Sequence, residues 1–169
     1  MPRTPRNALL LLAGFWLALL VLEPLLAPWA WAEDPELSRL ELQLQLDVNR
    51  FRAEHHLVAL ERRADLDAVA RAHSEDMVKR GFFAHENPDS EVWWQRMDRA
   101  GVRGYTLAGE NVAVTNEADP HNAVFVGWQN SPAHRENLLA RPFNATGIGI
   151  ARHPDGRLFY TQLYVTFPR

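Results

Sequence analysis

The feature that most limits how this 169-residue chain can fold is the absence of cysteine. Small exported domains are often held by disulfides, but here a hydrophobic core alone must supply the stability. Thiol catalysis and cysteine-bound metals are excluded for the same reason. Any metal would have to be bound by histidine, aspartate, glutamate or water.

An export signal is predicted at the amino terminus. Arg3 and Arg6 precede an uncharged apolar run over residues 8–22, and a small-x-small motif follows at 30–32. The run is shorter than the roughly 20 residues needed to span a bilayer. The pattern therefore favours a signal peptide cleaved after Ala32 over an uncleaved membrane anchor. We expect the mature chain to be secreted or periplasmic, with no stable membrane span after cleavage.

The rest of the chain has the length of one domain, which can bury roughly two-thirds of its unfolded surface. We divide the sequence into a signal peptide (1–32), a short polar leader (33–43) and one domain (44–169). The formal net charge of the whole chain is −3. A mildly acidic surface does not attract nucleic acid, so we expect no nucleic-acid partner.

The first two helices are predicted from their apolar spacing. Leu44, Val48 and Phe51 fall on one helical face, although the surrounding LELQLQLDV also alternates with the period of a strand. A clearer helix covers residues 65–80 and stops at Gly81. A histidine on its apolar face, at position 73, is interpreted as a core residue.

Three more helices are predicted from their start signals. One runs over residues 90–100 with Ser90 as its N-cap. Two others begin at 119–120 and 131–132, where Asp or Ser precedes a proline in the first turn. Trp128 would lie on the inner face of the fourth helix. Because Trp93 and Trp94 are adjacent in the third helix, one of them is expected to be partly exposed.

The carboxyl-terminal part reads as a β-hairpin. Residues 145–151 form an apolar segment in which Gly147 and Gly149 allow close approach, and residues 153–156 form a turn. Residues 157–167 are rich in aromatic and β-branched side chains, which indicates a long strand. The sequence thus predicts helices flanking a small sheet.

Three polar residues stand out in apolar surroundings: His85 in GFFAHENP, Glu110 in GENVAV and His134 in WQNSPAHRENLL. Each has an ordinary structural interpretation. A histidine at a helix end more often caps or packs than binds a ligand, and a glutamate after glycine is usually solvated in a loop. Their spacing alone does not define a metal site.

The chain resembles the CAP superfamily of cysteine-rich secretory proteins, antigen 5 and pathogenesis-related class 1 proteins, and in particular its cysteine-free bacterial branch. The matching segments occur in family order over about residues 44–166. They are LDVNRFRAEHHL, LDAVARAHSEDMVKRGFFAHENP, AGVRGYTLAGENVAV, VGWQNSPAHRENLL, NATGIGIARH and FYTQLYV.

The resemblance implies an α+β fold, a three-layer α/β/α sandwich around a small central antiparallel sheet. It also implies a surface cavity that holds two histidines and two glutamates in many members. His85 and Glu110 match the first histidine and the first glutamate of that set. Ser131 and Phe159 occupy the places of the other two, so half of the set is missing.

His134 is a candidate replacement, because a helix that starts at Ser131 puts it in the first turn. The positive end of the helix dipole disfavours a charged imidazolium, so the ring should be neutral and able to bind a metal. With His85 and Glu110 it could form a site for a divalent metal such as Zn. The alternative is a hydrogen-bond network that fixes the Gly-Glu-Asn loop.

Two further side chains are expected at the cavity, because Tyr160 and Gln162 share one strand face, and Ser131 is expected near His134.

Three functions remain open, in decreasing order of preference. The first is a secreted module that binds a lipid, a sterol or a cell-wall glycan. The second is an interaction protein with a vestigial site. The third is a metal-dependent hydrolase with His85 and His134 as ligands and Glu110 as the general base.

Overall fold

The structure is a computed structural model that describes residues 34–168. The predicted signal peptide and its cleavage point lie outside the described residues and stay predictions. Within the described part of the chain, every helix is too short or too polar to cross a membrane.

Residues 34–168 form five helices and four strands. In chain order they are α1 (Pro35–Glu54), β1 (Glu61–Arg62), α2 (Ala64–Arg80), α3 (Trp93–Arg99), β2 (Leu107–Thr115), α4 (Pro120–Asn130), α5 (Pro132–Leu139), β3 (Ala145–Arg152) and β4 (Leu158–Thr166). The five helices are the five that the sequence predicts, and β3 and β4 are the predicted hairpin.

The strands form one sheet in the order β1-β3-β4-β2. The pairs β3-β4 and β4-β2 are antiparallel, whereas the two-residue β1 pairs parallel with β3. The sheet is therefore mixed, whereas we expected a purely antiparallel sheet. One face packs against α2 and α3, and the other packs against α1, α4 and α5. This arrangement confirms the predicted α/β/α sandwich of the α+β class.

Helix α1 begins inside the segment that the sequence predicts as a polar leader. The Asp34 side chain accepts a hydrogen bond from the Glu36 amide at 3.0 Å, and Pro35 occupies the first turn. These are ordinary helix-start signals, so most of residues 33–43 are helical. Further along α1, the predicted apolar residues Leu44, Val48 and Phe51 are buried, which confirms a helix over the alternative strand.

Helix α2 packs unusually closely against β3. A Cβ atom added at Gly149 would lie 2.0 Å from the backbone nitrogen of Arg71, and one at Gly147 would lie 2.2 Å from the backbone carbon of Leu66. Both positions therefore exclude any side chain. The predicted role of these glycines in close approach is confirmed.

Helix α3 begins three residues later than predicted. Ser90 is not its N-cap but adopts a left-handed conformation (φ 60°) in the preceding turn. Asn87 organises that turn, because its side-chain oxygen accepts from the amides of Asp89 and Glu91. The helix starts after Val92, and Ala100 at its end is exposed.

Helices α4 and α5 start where the sequence predicts, but their expected side-chain caps do not form. Within the described chain, neither Asp119 nor Ser131 accepts a capping hydrogen bond through its side chain. Proline in the first turn of each helix therefore carries the start signal. On the inner face of α4, Trp128 is 2% exposed and donates from Nε1 to the Val112 carbonyl at 3.3 Å.

Candidate functional site

Glu110 lies in the middle of β2 with a fully buried side chain. Its strand partner is Leu163, so its carboxylate faces the α2 and α3 side of the sheet. Oε2 accepts from Arg96 Nη2 at 2.5 Å, and Oε1 lies 2.9 Å from His85 Nδ1. The residue is therefore not a solvated loop glutamate but a buried anion held by two partners.

Arg96 is the site residue that sequence reasoning missed. It is buried on α3, and its Nη1 donates to the carbonyls of His85 and Glu91, each at 2.9 Å. One guanidinium thus fixes both the Glu110 carboxylate and the backbone of His85. A signal was present, since Arg96 lies next to the apolar Met97 in a predicted helix, and a buried arginine needs polar or acidic partners.

His85 follows α2 in a loop and keeps 44% of its side chain exposed. Its ring meets Trp93 edge-on at 5.9 Å between centroids. The predicted pairing of His85 with Glu110 is therefore present in the structure. The ring closes the outer side of the buried carboxylate.

His134 lies in the first turn of α5, with its ring tilted against Trp128 at 6.3 Å between centroids. Burial lowers the pKa of His134, and the nearby His85 lowers it further. Both effects favour the neutral ring, the form that we expected from the helix dipole, and burial is the larger of the two. Both Glu110 oxygens are occupied by Arg96 and His85, so His134 does not join that carboxylate.

The backbone of His134 does contribute to a hydrogen-bond network. Its carbonyl accepts from Asn111 Nδ2 at 3.1 Å, and Asn137 donates to the Glu110 carbonyl at 3.2 Å and to Asn111 Oδ1 at 2.9 Å. Gly109 leaves room for this contact, because an added Cβ would lie 2.7 Å from Asn137 Oδ1. The Gly-Glu-Asn motif therefore joins β2 to α3 on one face and to α5 on the other.

A groove runs along the outer edge of β2 and has a volume of about 330 Å³. His134 and Ser131 contribute polar side chains to its lining, but His85 and Glu110, which we expected in the same cavity as His134, do not line it. Most of the surface is apolar and comes from β2, α4 and the loop after α2. The apolar lining residues are Phe83, Val112, Ala113, Val114, Ala123, Val124, Gly127 and Trp128.

A sequence profile described as "CAP: Cysteine-rich secretory protein family" matches residues 47–164. The chain belongs to the CAP family. The matched range contains all of the site residues described above. The family assignment made from the sequence motifs is therefore confirmed.

Bacterial relatives share this CAP domain. The YkwD protein of Bacillus subtilis (strain 168) is 34% identical over 118 residues, which cover 70% of this chain and 44% of that protein. A solved extracellular protein containing a SCP domain from Bacillus anthracis is 33% identical with a TM-score of 0.67, over 76% of this chain and 41% of that chain. The chain thus spans less than half the length of either relative.

A third match shows the fold alone. A solved outer surface protein of Borrelia burgdorferi is 21% identical with a TM-score of 0.70. The match covers 77% of this chain and 94% of that one. The same sandwich fold therefore also occurs in a protein that consists almost entirely of this domain.

Tyr160 and Gln162 of the CAP domain do not line the groove. Both are fully buried on the face of β4 that packs against α1 and α4. Gln162 donates to Thr146 Oγ1 at 3.0 Å and accepts from the Tyr164 hydroxyl at 2.8 Å. The prediction that they share a face is right, but that face is the core, because β4 is a central strand covered on both sides.

The side chains of this CAP site, as they stand, do not fit a divalent cation. Residues 34–168 contain no group of three or more histidine, cysteine, aspartate or glutamate side chains that could hold a metal. Glu110 is neutralised by Arg96, and His85 uses Nδ1 to contact the same carboxylate. The expected metal ligation by His85 and His134 has no support here, and we derive no chemistry through a metal.

His73 should make the stability of this CAP domain depend on pH. Its ring is buried beneath α2 and bonds through Nε2 to the Ala84 carbonyl at 3.0 Å. Burial lowers the pKa of His73. The negative charge of Glu110 raises this pKa and the positive charge of Arg96 lowers it, and the net shift is downward. The unfolded state therefore binds a proton more readily, and the free energy of unfolding should fall as pH drops below about 6.5.

Urea unfolding at pH 7.5 and pH 5 measures this effect. A His73→Gln variant should show a smaller loss of stability between the two pH values, because glutamine can donate to Ala84 without titrating. Replacement of the exposed His56 by asparagine, which tolerates the positive φ at that position, is the control. An equal pH dependence in wild type and His73→Gln would contradict the prediction.

Proposed function

We propose that this CAP domain is an exported binding module that holds an apolar small molecule, such as a lipid or a sterol, in the groove beside His134. The observation that carries the proposal is the apolar lining of a groove that is open to solvent. Phe83 is 50% exposed there and faces the edge of β2. A groove of about 330 Å³ with few polar groups is typical of small-molecule sites.

Two observations support export. The amino-terminal sequence has the pattern of a signal peptide. The Bacillus anthracis relative, at 33% identity, is described as extracellular. A secreted or periplasmic location gives an apolar groove access to membrane lipids or to lipids in transit.

The buried ion pair has a supporting role in this proposal. Phe83 lies two residues before His85, and its ring packs edge-on against Phe159 at 6.4 Å between centroids. Glu110 and Arg96 hold the side chain and the backbone of His85. The network thus fixes the loop that supplies one wall of the groove.

The hydrolase alternative is not favoured by this geometry. A general base needs a carboxylate oxygen within hydrogen-bond reach of the water that it activates. The Glu110 side chain is fully buried, and each oxygen already has a partner. Glu110 is therefore better suited to holding Arg96 and His85 in place than to acting as a general base.

Filling the groove should weaken the binding of an apolar ligand. Gly127 lies on the exposed side of α4 and lines the groove, and an added Cβ would meet nothing within 4 Å. A Gly127→Leu side chain would project into that space. We expect cis-parinaric acid, a fluorescent fatty acid, to bind the Gly127→Leu protein at least about tenfold more weakly, which is about 1.4 kcal/mol.

Loss of folding would not explain such a result, because replacing a helical glycine stabilises a helix by about 0.5–1 kcal/mol. Val126→Leu is the matched control: it is on the same helix, exposed, and outside the groove lining. It should bind the probe like wild type. Absence of saturable binding to wild type, or equal binding to Gly127→Leu, would refute an apolar ligand in this groove.

A further inference from the structure

A second cavity lies between α2 and α3 and has a volume of about 460 Å³. It shares no lining residue with the groove along β2 among the described residues. One wall is formed by Ala68 and Ala72, which lie one turn apart on the exposed side of α2. Their small side chains leave the space above them open to a ligand.

The charges around this cavity are paired with one another. Arg80 contacts Asp89 at 2.6 Å, and Arg99 contacts Glu91 at 2.8 Å. The side chains around the cavity opening therefore offer hydrogen-bond donors and acceptors in alternation, without an excess of positive or negative charge. This arrangement favours a neutral ligand with many hydroxyl groups over an ion.

Two side chains that line the cavity each contain a buried polar atom that lacks a hydrogen-bond partner among residues 34–168. These are Nε of Arg96 and Nδ1 of His73. Because His73 Nε2 is the atom at the Ala84 carbonyl, it carries the ring proton, and Nδ1 is left as an acceptor. A hydroxyl group can accept from Arg96 Nε or donate to His73 Nδ1, so a ligand with several hydroxyl groups suits both atoms.

We propose that the cavity between α2 and α3 binds a neutral polyhydroxylated ring, a sugar or a short glycan, with hydroxyl groups directed at His73 and Arg96. The alanine wall on α2 accommodates an apolar face of the ring, and the paired charges bind the remaining hydroxyls. Both atoms are buried in this structure, so a ligand hydroxyl reaches them only when a lining side chain moves. This site is separate from the apolar groove.

Nuclear magnetic resonance titration of the full-length protein tests the proposal with glucose and cellobiose as probes. We expect saturable shifts of the amide signals of Ala68, Ala72 and Ala100, at an affinity of roughly 1 mM. Shifts with both sugars indicate recognition of a single ring. Shifts with cellobiose alone indicate recognition of a glycan chain.

Two substitutions block the cavity from the exposed side of α2. In Ala72→Leu, and independently in Ala68→Leu, the affinity for the bound sugar should fall at least about tenfold. Ala53→Leu is the control, because Ala53 is exposed on α1 and lies outside both cavities. Thermal unfolding of each variant confirms that it is folded.

Absence of saturable shifts with both sugars, or unchanged affinity in both blocked variants, would overturn the proposal. The outcome is independent of the lipid proposal. Ala72→Leu should bind cis-parinaric acid like wild type, and Gly127→Leu should bind the sugar like wild type. Failure of one site can therefore be told apart from failure of the other.

Discussion

Replacement of Trp128 by alanine is expected to lower the free energy of unfolding by about 3–5 kcal/mol, the usual range for a large buried aromatic side chain. Trp128 is one of the largest fully buried side chains and joins α4 to the core beneath β4. Its loss would leave a cavity and would also leave the Val112 carbonyl without its indole donor. Both effects act in the same direction.

Urea unfolding monitored by circular dichroism measures the change. Trp94→Ala is the matched control, because Trp94 is 46% exposed and its removal creates no internal cavity. We expect the control to lose less than about 1 kcal/mol. A similarly small loss in Trp128→Ala would show that the inner face of α4 is assigned incorrectly.

Replacement of Arg52 by methionine should lower the free energy of unfolding by at least about 3 kcal/mol. Arg52 is fully buried on α1 and donates hydrogen bonds to four backbone carbonyls at 2.8–3.1 Å. Those acceptors belong to Val58, Leu138, Ala140 and Phe143. Each buried acceptor left without a donor costs about 1–3 kcal/mol, and methionine restores only the apolar volume.

Arg50→Met provides the comparison for this variant, because the Arg50 side chain is 70% exposed and makes a single ion pair with Asp47. Exposed pairs of this kind contribute about 0–1 kcal/mol. If Arg52→Met unfolded at nearly the same urea concentration as Arg50→Met, the carbonyls would have to be hydrated in the variant. The contribution we assign to Arg52 would then be wrong.

Local signals in the sequence predict most of the helices but not the contacts between them. The starts of α4 and α5 follow from proline in the first turn, and the end of α2 follows from Gly81. Ser90 has an equally good N-cap signature, yet it lies in a turn that the Asn87 side chain organises. The N-cap pattern at Ser90 and the turn pattern at Asn87 overlap there, and sequence spacing alone does not decide between them.

The contacts within the candidate site could likewise not be predicted from local sequence signals. His85 and Glu110 could be paired from motif resemblance, but Arg96 and Asn137 are joined to Glu110 across different elements. No sequence period connects such positions. His134 was expected at a cavity with Glu110, but the structure directs its ring to the groove wall beside Trp128 and only its backbone into the polar network.

The glycines at 147 and 149 have a consequence for motion. They allow the backbone of α2 to approach that of β3 closely, so we expect this helix and the sheet to move as one rigid unit. Any widening of the cavity between α2 and α3 must then come from displacement of the seven-residue α3 and the turn before it. Hydrogen exchange should accordingly be slow along α2 and faster in α3.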